Sequence, residues 1–95
     1  MSEGQVQNVV LIGKKPLMNY VVACLTLFNS GASEVLVRAR GRSISRAVDA
    51  VELLRRVFLK DLEVKSIEIG TETLTNPEGQ KVNVSTIDIK LARKE

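Results

Sequence analysis

Apolar residues run unbroken through Val9-Val10-Leu11-Ile12, as in a strand covered on both faces, and predict a first strand over Asn8–Ile12. Gly13-Lys14-Lys15-Pro16 interrupts the run. The proline holds Lys15 extended and suits the first turn of a helix. Leu17, Tyr20, Val21, Cys24, Leu25 and Phe28 then recur at helical spacing, and Ser30-Gly31 closes the segment. Met18, Val22, Ala23 and Leu27 make this helix apolar nearly all round, which predicts cover on more than one side. Glu34–Arg40 alternates instead, with Val35, Val37 and Ala39 on one face and Leu36, Arg38 and Arg40 on the other. Gly41-Arg42-Ser43 is a turn in which Ser43 suits an N-cap. Ile44, Ala47, Val48, Val51, Leu54 and Phe58 mark a second, amphipathic helix.

Glu63–Thr75 and Gln80–Ala92 read as two strands joined by the turn-forming Asn76-Pro77-Glu78-Gly79. The order is therefore β-α-β-α-β-β. At about 3.3 Å per residue each hairpin strand reaches roughly 43 Å, about twice a common strand. Its base is apolar, with Ile67 and Ile69 set against Ile87, Ile89 and Leu91. Toward the tip stand Thr71, Glu72, Thr73, Thr75, Gln80, Lys81 and Asn83, which predicts a flexible ribbon projecting from the body. Val82 and Val84 alternate out of phase with Ile87 and Ile89, which suggests a bulge between them. Residues 1–7 read as a flexible N-terminal tail and 8–95 as a single domain.

Charge sharpens this picture. The net charge is +3, but residues 1–46 hold six bases against two acids, while the remainder holds eight against nine. The surplus lies in the two strand-to-helix turns. If the first two strands are parallel neighbours, both turns leave the same edge of the sheet, where open α/β sheets bind ligands. Each sets cations beside a helix N-terminus, where the dipole disfavours them unless an anion binds. A polyanion is the partner this pattern implies.

Composition narrows the chemistry further. Histidine and tryptophan are absent and Cys24 is the one cysteine, so a Ser-His or Cys-His nucleophile, a zinc site and an internal disulfide have no residues to build them. No Gly-x-x-x-x-Gly-Lys-Ser/Thr loop occurs. An enzyme, a cofactor and a metal are not expected. A small metabolic enzyme or acid-ligand sensor would need a polar pocket with a perturbed acid or base. Glu63, Glu68 and Glu72 alternate as on a solvated face. Cys24, Tyr20 and Phe28 lie on the apolar stripe and read as core. The position of Phe58 leaves core and partner both open. No apolar run is long enough for a membrane helix, and Met1–Asn8 is too polar for a signal peptide.

Two segments, Val9-Val10-Leu11-Ile12-Gly13-Lys14-Lys15-Pro16-Leu17-Met18-Asn19-Tyr20 and Arg38-Ala39-Arg40-Gly41-Arg42-Ser43-Ile44-Ser45-Arg46-Ala47-Val48-Asp49, resemble the Alba family of archaeal chromatin proteins. Val84-Ser85-Thr86-Ile87-Asp88-Ile89 resembles that family's last strand. The resemblance implies a two-layer α/β (α+β) domain with a mixed four-stranded sheet, two helices and a long projecting β-hairpin. It is the fold of the C-terminal domain of translation initiation factor three. It also implies a homodimer, or a heterodimer with a paralogue, that binds double-stranded DNA and RNA with little sequence preference and condenses chromosomal DNA in the cytoplasmic nucleoid.

By position, Lys14, Lys15, Arg38, Arg40, Arg42 and Arg46 inherit contacts to the nucleic-acid backbone, and Lys81 and Asn83 stand on the arm that reaches the minor groove. Lys14 matches an acetylation site, and acetylation removes a charge. Phe58 matches an aromatic in dimer–dimer packing along nucleic acid. Family arms often carry several arginines, whereas Thr71–Val84 holds Lys81 against Glu72 and Glu78, which shifts weight to the body. Ribonuclease P-associated relatives supply the alternative expectation, a protein acting on structured RNA.

Overall fold

The computed structural model describes residues 8–94. Its elements are β1 (Val9–Leu11), α1 (Leu17–Asn29), β2 (Glu34–Arg40), a 3-10 turn (Gly41–Ser43), α2 (Ile44–Leu53), a π turn (Leu54–Phe58), β3 (Leu62–Thr75) and β4 (Lys81–Arg93). The strands form one sheet in the order β1-β2-β4-β3. β1 runs parallel to β2, and β4 runs antiparallel to both β2 and β3, so the sheet is mixed, as expected. The expected flexible tail, residues 1–7, lies outside the described residues.

Alternation in the strands decides which face is buried. Val35, Val37 and Ala39 of β2 and Ile87, Ile89 and Leu91 of β4 point the same way and close on Val21, Cys24 and Phe28 of α1 and on Ala47, Val51 and Leu54 of α2. All these side chains are buried. Among the described residues cover comes from this one side only, and that corrects the expectation for β1. Val10 and Ile12 are buried, but Leu11 is 66% exposed on the opposite face, because both helices pack on the face of Val10 and Ile12. Likewise α1 keeps Met18 and Val22 exposed.

Three local expectations also change. Pro16 is the N-cap of α1 and precedes its first turn, while its carbonyl accepts from the Asn19 amide at 2.9 Å. Ser43 makes no side-chain cap, since the 3-10 turn runs straight into α2 and gives Ser43 helical dihedrals. Gly41 opens that turn at φ +59°, a left-handed conformation that favours glycine.

The third change is in the hairpin. It pairs without interruption from Ser66↔Lys90 to Thr75↔Lys81, so there is no bulge between Val84 and Ile87. The register shift falls at Lys65, between Val64 and Ser66. Val82 and Val84 are out of phase because the apolar face of the ribbon changes sides. Ile67 and Ile69 face the helix layer, while Leu74, Val82 and Val84 lie on the other face. Thr71, Thr73, Thr75, Lys81, Asn83 and Ser85 continue the first face as a polar row. At the tip, the Asn76 carboxamide oxygen accepts from the Glu78 and Gln80 amides at 3.0 and 2.9 Å.

Candidate nucleic-acid interface

Parallel pairing of β1 with β2 sends both strands out at the same end of the sheet. The turn after β1 carries Lys14 and Lys15, and the turn after β2 carries Arg42; all three are exposed. Neither helix that follows has an acidic residue in its first turn. Among the described residues no carboxylate pairs with these three cations.

Two buried or half-buried side chains fix the lysine turn. The Tyr20 hydroxyl oxygen, reaching back from α1, accepts from the Gly13 and Lys15 amides at 2.9 Å each. Arg46, in the first turn of α2, donates from Nε to the Gly13 carbonyl at 3.2 Å and from Nη2 to the Lys15 carbonyl. The guanidinium thus ties the two basic turns together. Arg46 is legible in the sequence as a cation, but its role as a clamp spans 33 residues and leaves no local signal. The Tyr20 hydroxyl was missed for a similar reason: its ring belongs to the core stripe, which accounts for the residue without its oxygen.

Arg38 and Arg40 stand apart from the turns, on the helix-free face of the sheet. Arg38 makes a two-bond fork to Asp88, its cross-strand partner, at 2.9 and 3.1 Å. That hydrogen bond and the attached charge hold the Asp88 carboxyl below its ordinary value and raise the Arg38 guanidinium above its own. Arg40 donates a single bond to Glu72 at 2.8 Å. Glu72 was expected on a merely solvated face, and it proves to be an ion-pair partner.

On the arm, Asn83 accepts a bond from the Thr73 hydroxyl at 3.0 Å, and Lys81 pairs with Thr75 near the tip. Lys81 lies five residues beyond Thr86, the partner of Arg40, or about 17 Å along the strand. Phe58, left open between core and partner, is 42% exposed at the end of the π turn beside exposed Val57. Val48, Val51, Val64, Ile67, Ile87 and Ile89 line a largely apolar groove of about 180 Å³ between α2 and the hairpin base, bordered by the ion-paired Glu52 and Arg55. Among the described residues no helix is long and apolar enough to cross a membrane, and no group of three His, Cys, Asp or Glu could hold a metal ion.

This chain matches the Alba family model over residues 8–71, which includes both basic turns. It belongs to the Alba family. Similar proteins include the DNA/RNA-binding protein Alba of Methanocella arvoryzae, 55% identical over 86 residues and 90% of each chain. Among solved structures, Alba from Thermoplasma volcanium superposes with a TM-score of 0.86 at 45% identity, covering 90% of this chain and all of that one. The ALBA1 protein of Trypanosoma brucei gives 0.76 at 26% identity, covering 97% of this chain and 74% of that one. The Alba fold expected from the sequence is the fold observed, and the Methanocella relative is named as a nucleic-acid binder rather than an enzyme.

Proposed function

We propose that this Alba chain binds double-stranded DNA and RNA with little sequence preference, through the surface formed by its two basic turns, and condenses chromosomal DNA in the nucleoid. The observation that carries this reading is the stitched pair of turns. Lys14, Lys15 and Arg42 are exposed, lack carboxylate partners among the described residues, and stand beside two helix N-termini held together by Arg46. Phosphate at that edge meets cations, backbone N–H groups and the positive ends of the helix dipoles at once. Arg46 serves by holding this surface in shape. Acetylation of exposed Lys14 would remove one of its charges.

Homodimerisation is part of the proposal. Burying the α2–β3 groove, with Val48 and Ile67 at its rim, against a second copy removes apolar area that the chain itself leaves open. Exposed Phe58 lies outside that groove's lining and is left for contacts between neighbouring dimers.

A second reading, structured RNA as the main target, draws on the arm. Thr71, Thr73, Thr75, Asn83 and Ser85 form a hydroxyl and amide row suited to the sugar 2′-hydroxyls of an A-form minor groove.

The test is a salt titration with random-sequence duplex DNA. A dimer neutralising six phosphates through Lys14, Lys15 and Arg42 gives a log–log slope of about −5. Affinity that stays flat from low to physiological salt refutes the electrostatic reading, and a steep slope seen only with duplex RNA favours the second.

A further inference from the structure

The arginines of β2 are held in unequal ways. Arg38 and Asp88 are opposite one another on adjacent strands and share two bonds, with the aspartate side chain only 29% exposed. Arg40 instead reaches across β4 to Glu72 on β3 with one bond, and both side chains are about half exposed, at 57% and 45%. The reach is possible because the residues between them, Thr86 and Gly70, are small. The pair also borders an open groove of about 310 Å³ on the helix-free face, so an incoming anion has access to it. Arg40 is the last residue of β2 and adjoins the Gly41-Arg42 turn.

A phosphate offers a guanidinium two parallel charge-assisted bonds, whereas Glu72 supplies one. We infer that Glu72 is a built-in competitor for nucleic-acid phosphate at Arg40, so that binding exchanges the carboxylate for a phosphate. Arg38 keeps Asp88 throughout. The inference rests on the proposed nucleic-acid reading of the basic turns and assigns Glu72 the role of setting affinity there.

Glu72 lowers affinity in two ways. Its bond to Arg40 must be broken before phosphate can take its place, and the freed carboxylate then stands beside a polyanion. Removing its charge removes both costs. Exposed ion pairs are weak, and the gain is about two- to fivefold in affinity per subunit.

The experiment is fluorescence anisotropy of the full chain with random-sequence duplex DNA across a salt series. Glu72→Gln should tighten binding by that factor and leave the log–log slope, which counts the phosphates neutralised, unchanged. The gain should disappear in an Arg40→Gln background, as a double-mutant cycle reads directly. Glu78→Gln makes the same charge change at the arm tip and should give a smaller gain that is indifferent to Arg40. Equal gains from Glu72→Gln and Glu78→Gln, or a Glu72→Gln gain that persists without Arg40, overturn the inference. If a Lys14→Ala/Lys15→Ala variant run alongside loses no affinity, the reading of the basic surface fails and takes this inference with it. If that variant binds weakly while Glu72→Gln changes nothing, only the role of Glu72 is refuted.

Discussion

Tyr20→Phe removes one oxygen atom and should separate the shape of the lysine turn from its charge. The hydroxyl accepts two backbone amides, those of Gly13 and Lys15, at 2.9 Å each, and its ring is 7% exposed in the core. Phenylalanine keeps the ring packing and deletes both bonds. A net hydrogen bond contributes about 1 kcal/mol, and both amides are only partly buried, so water recovers some of the loss. The expected cost is about 1–2 kcal/mol. For a chain of this size that lowers the thermal midpoint by roughly 4–12 °C at matched protein concentration. Hydrogen exchange locates the effect: the Gly13 and Lys15 amides should lose protection while those of β2 and β4 keep theirs. Duplex affinity should fall although no charge has been removed, with the salt slope unchanged. An unaltered midpoint together with unaltered protection at Gly13 and Lys15 would refute the reasoning, because the hydroxyl would then be no anchor of the turn.

Other outcomes follow from single groups. Burial pushes the Cys24 thiol up to about 11 from 9.0, so the native protein should resist thiol reagents at pH 8, with labelling limited by unfolding. Because the folded state holds that proton more tightly than the unfolded chain, stability should also fall as pH rises from about 9 toward 11, and Cys24→Ala should flatten that limb. Asp88, lowered chiefly by its bond to Arg38, contributes stability that is present above the ordinary aspartate range and lost as pH falls through its depressed value. In an NMR titration, Arg38→Gln should return the Asp88 carboxyl toward that range. Ile67→Glu places a charge on the rim of the α2–β3 groove, where Ile67 is 59% exposed, and should leave each subunit folded while shifting sedimentation to the monomer; a dimer that survives removes this groove as the interface.

Much of the fold was legible because its information is local. The helical spacing from Leu17 to Phe28, the alternation from Glu34 to Arg40 and the Asn76–Gly79 turn each specify an element with little help from distant residues. Parallel pairing of β1 with β2 then placed Lys14, Lys15 and Arg42 at one end of the sheet, as their positions after strands anticipated. What escaped reading depends on residues far apart. An apolar run such as Val9–Ile12 does not reveal whether one or two faces are covered, and only the packing of both helices on one face leaves Leu11 open on the other. The phase change at Val82 and Val84 has two explanations in sequence, a bulge or a change of faces, and uninterrupted pairing selects the second. Arg38, Arg40 and Arg46 are alike as cations in the sequence. Their contacts with Asp88, with Glu72 and with the Gly13 and Lys15 carbonyls, 31 to 50 residues away, give them three different tasks.

The central claim is that the body dominates the arm in binding, and one set of dissociation constants tests it. The native chain, Lys14→Ala/Lys15→Ala and Lys81→Ala are compared on two unrelated duplex sequences at one fixed salt concentration. Lys14 and Lys15 stand at the stitched edge of the sheet, whereas Lys81 is the one cation of the Thr71–Val84 arm and lies near its tip. Loss of two phosphate contacts per subunit should weaken binding at least tenfold and equally for both sequences, while Lys81→Ala should change it by about twofold or less. A greater loss from Lys81→Ala than from the lysine pair would contradict the account and make the arm the principal contact.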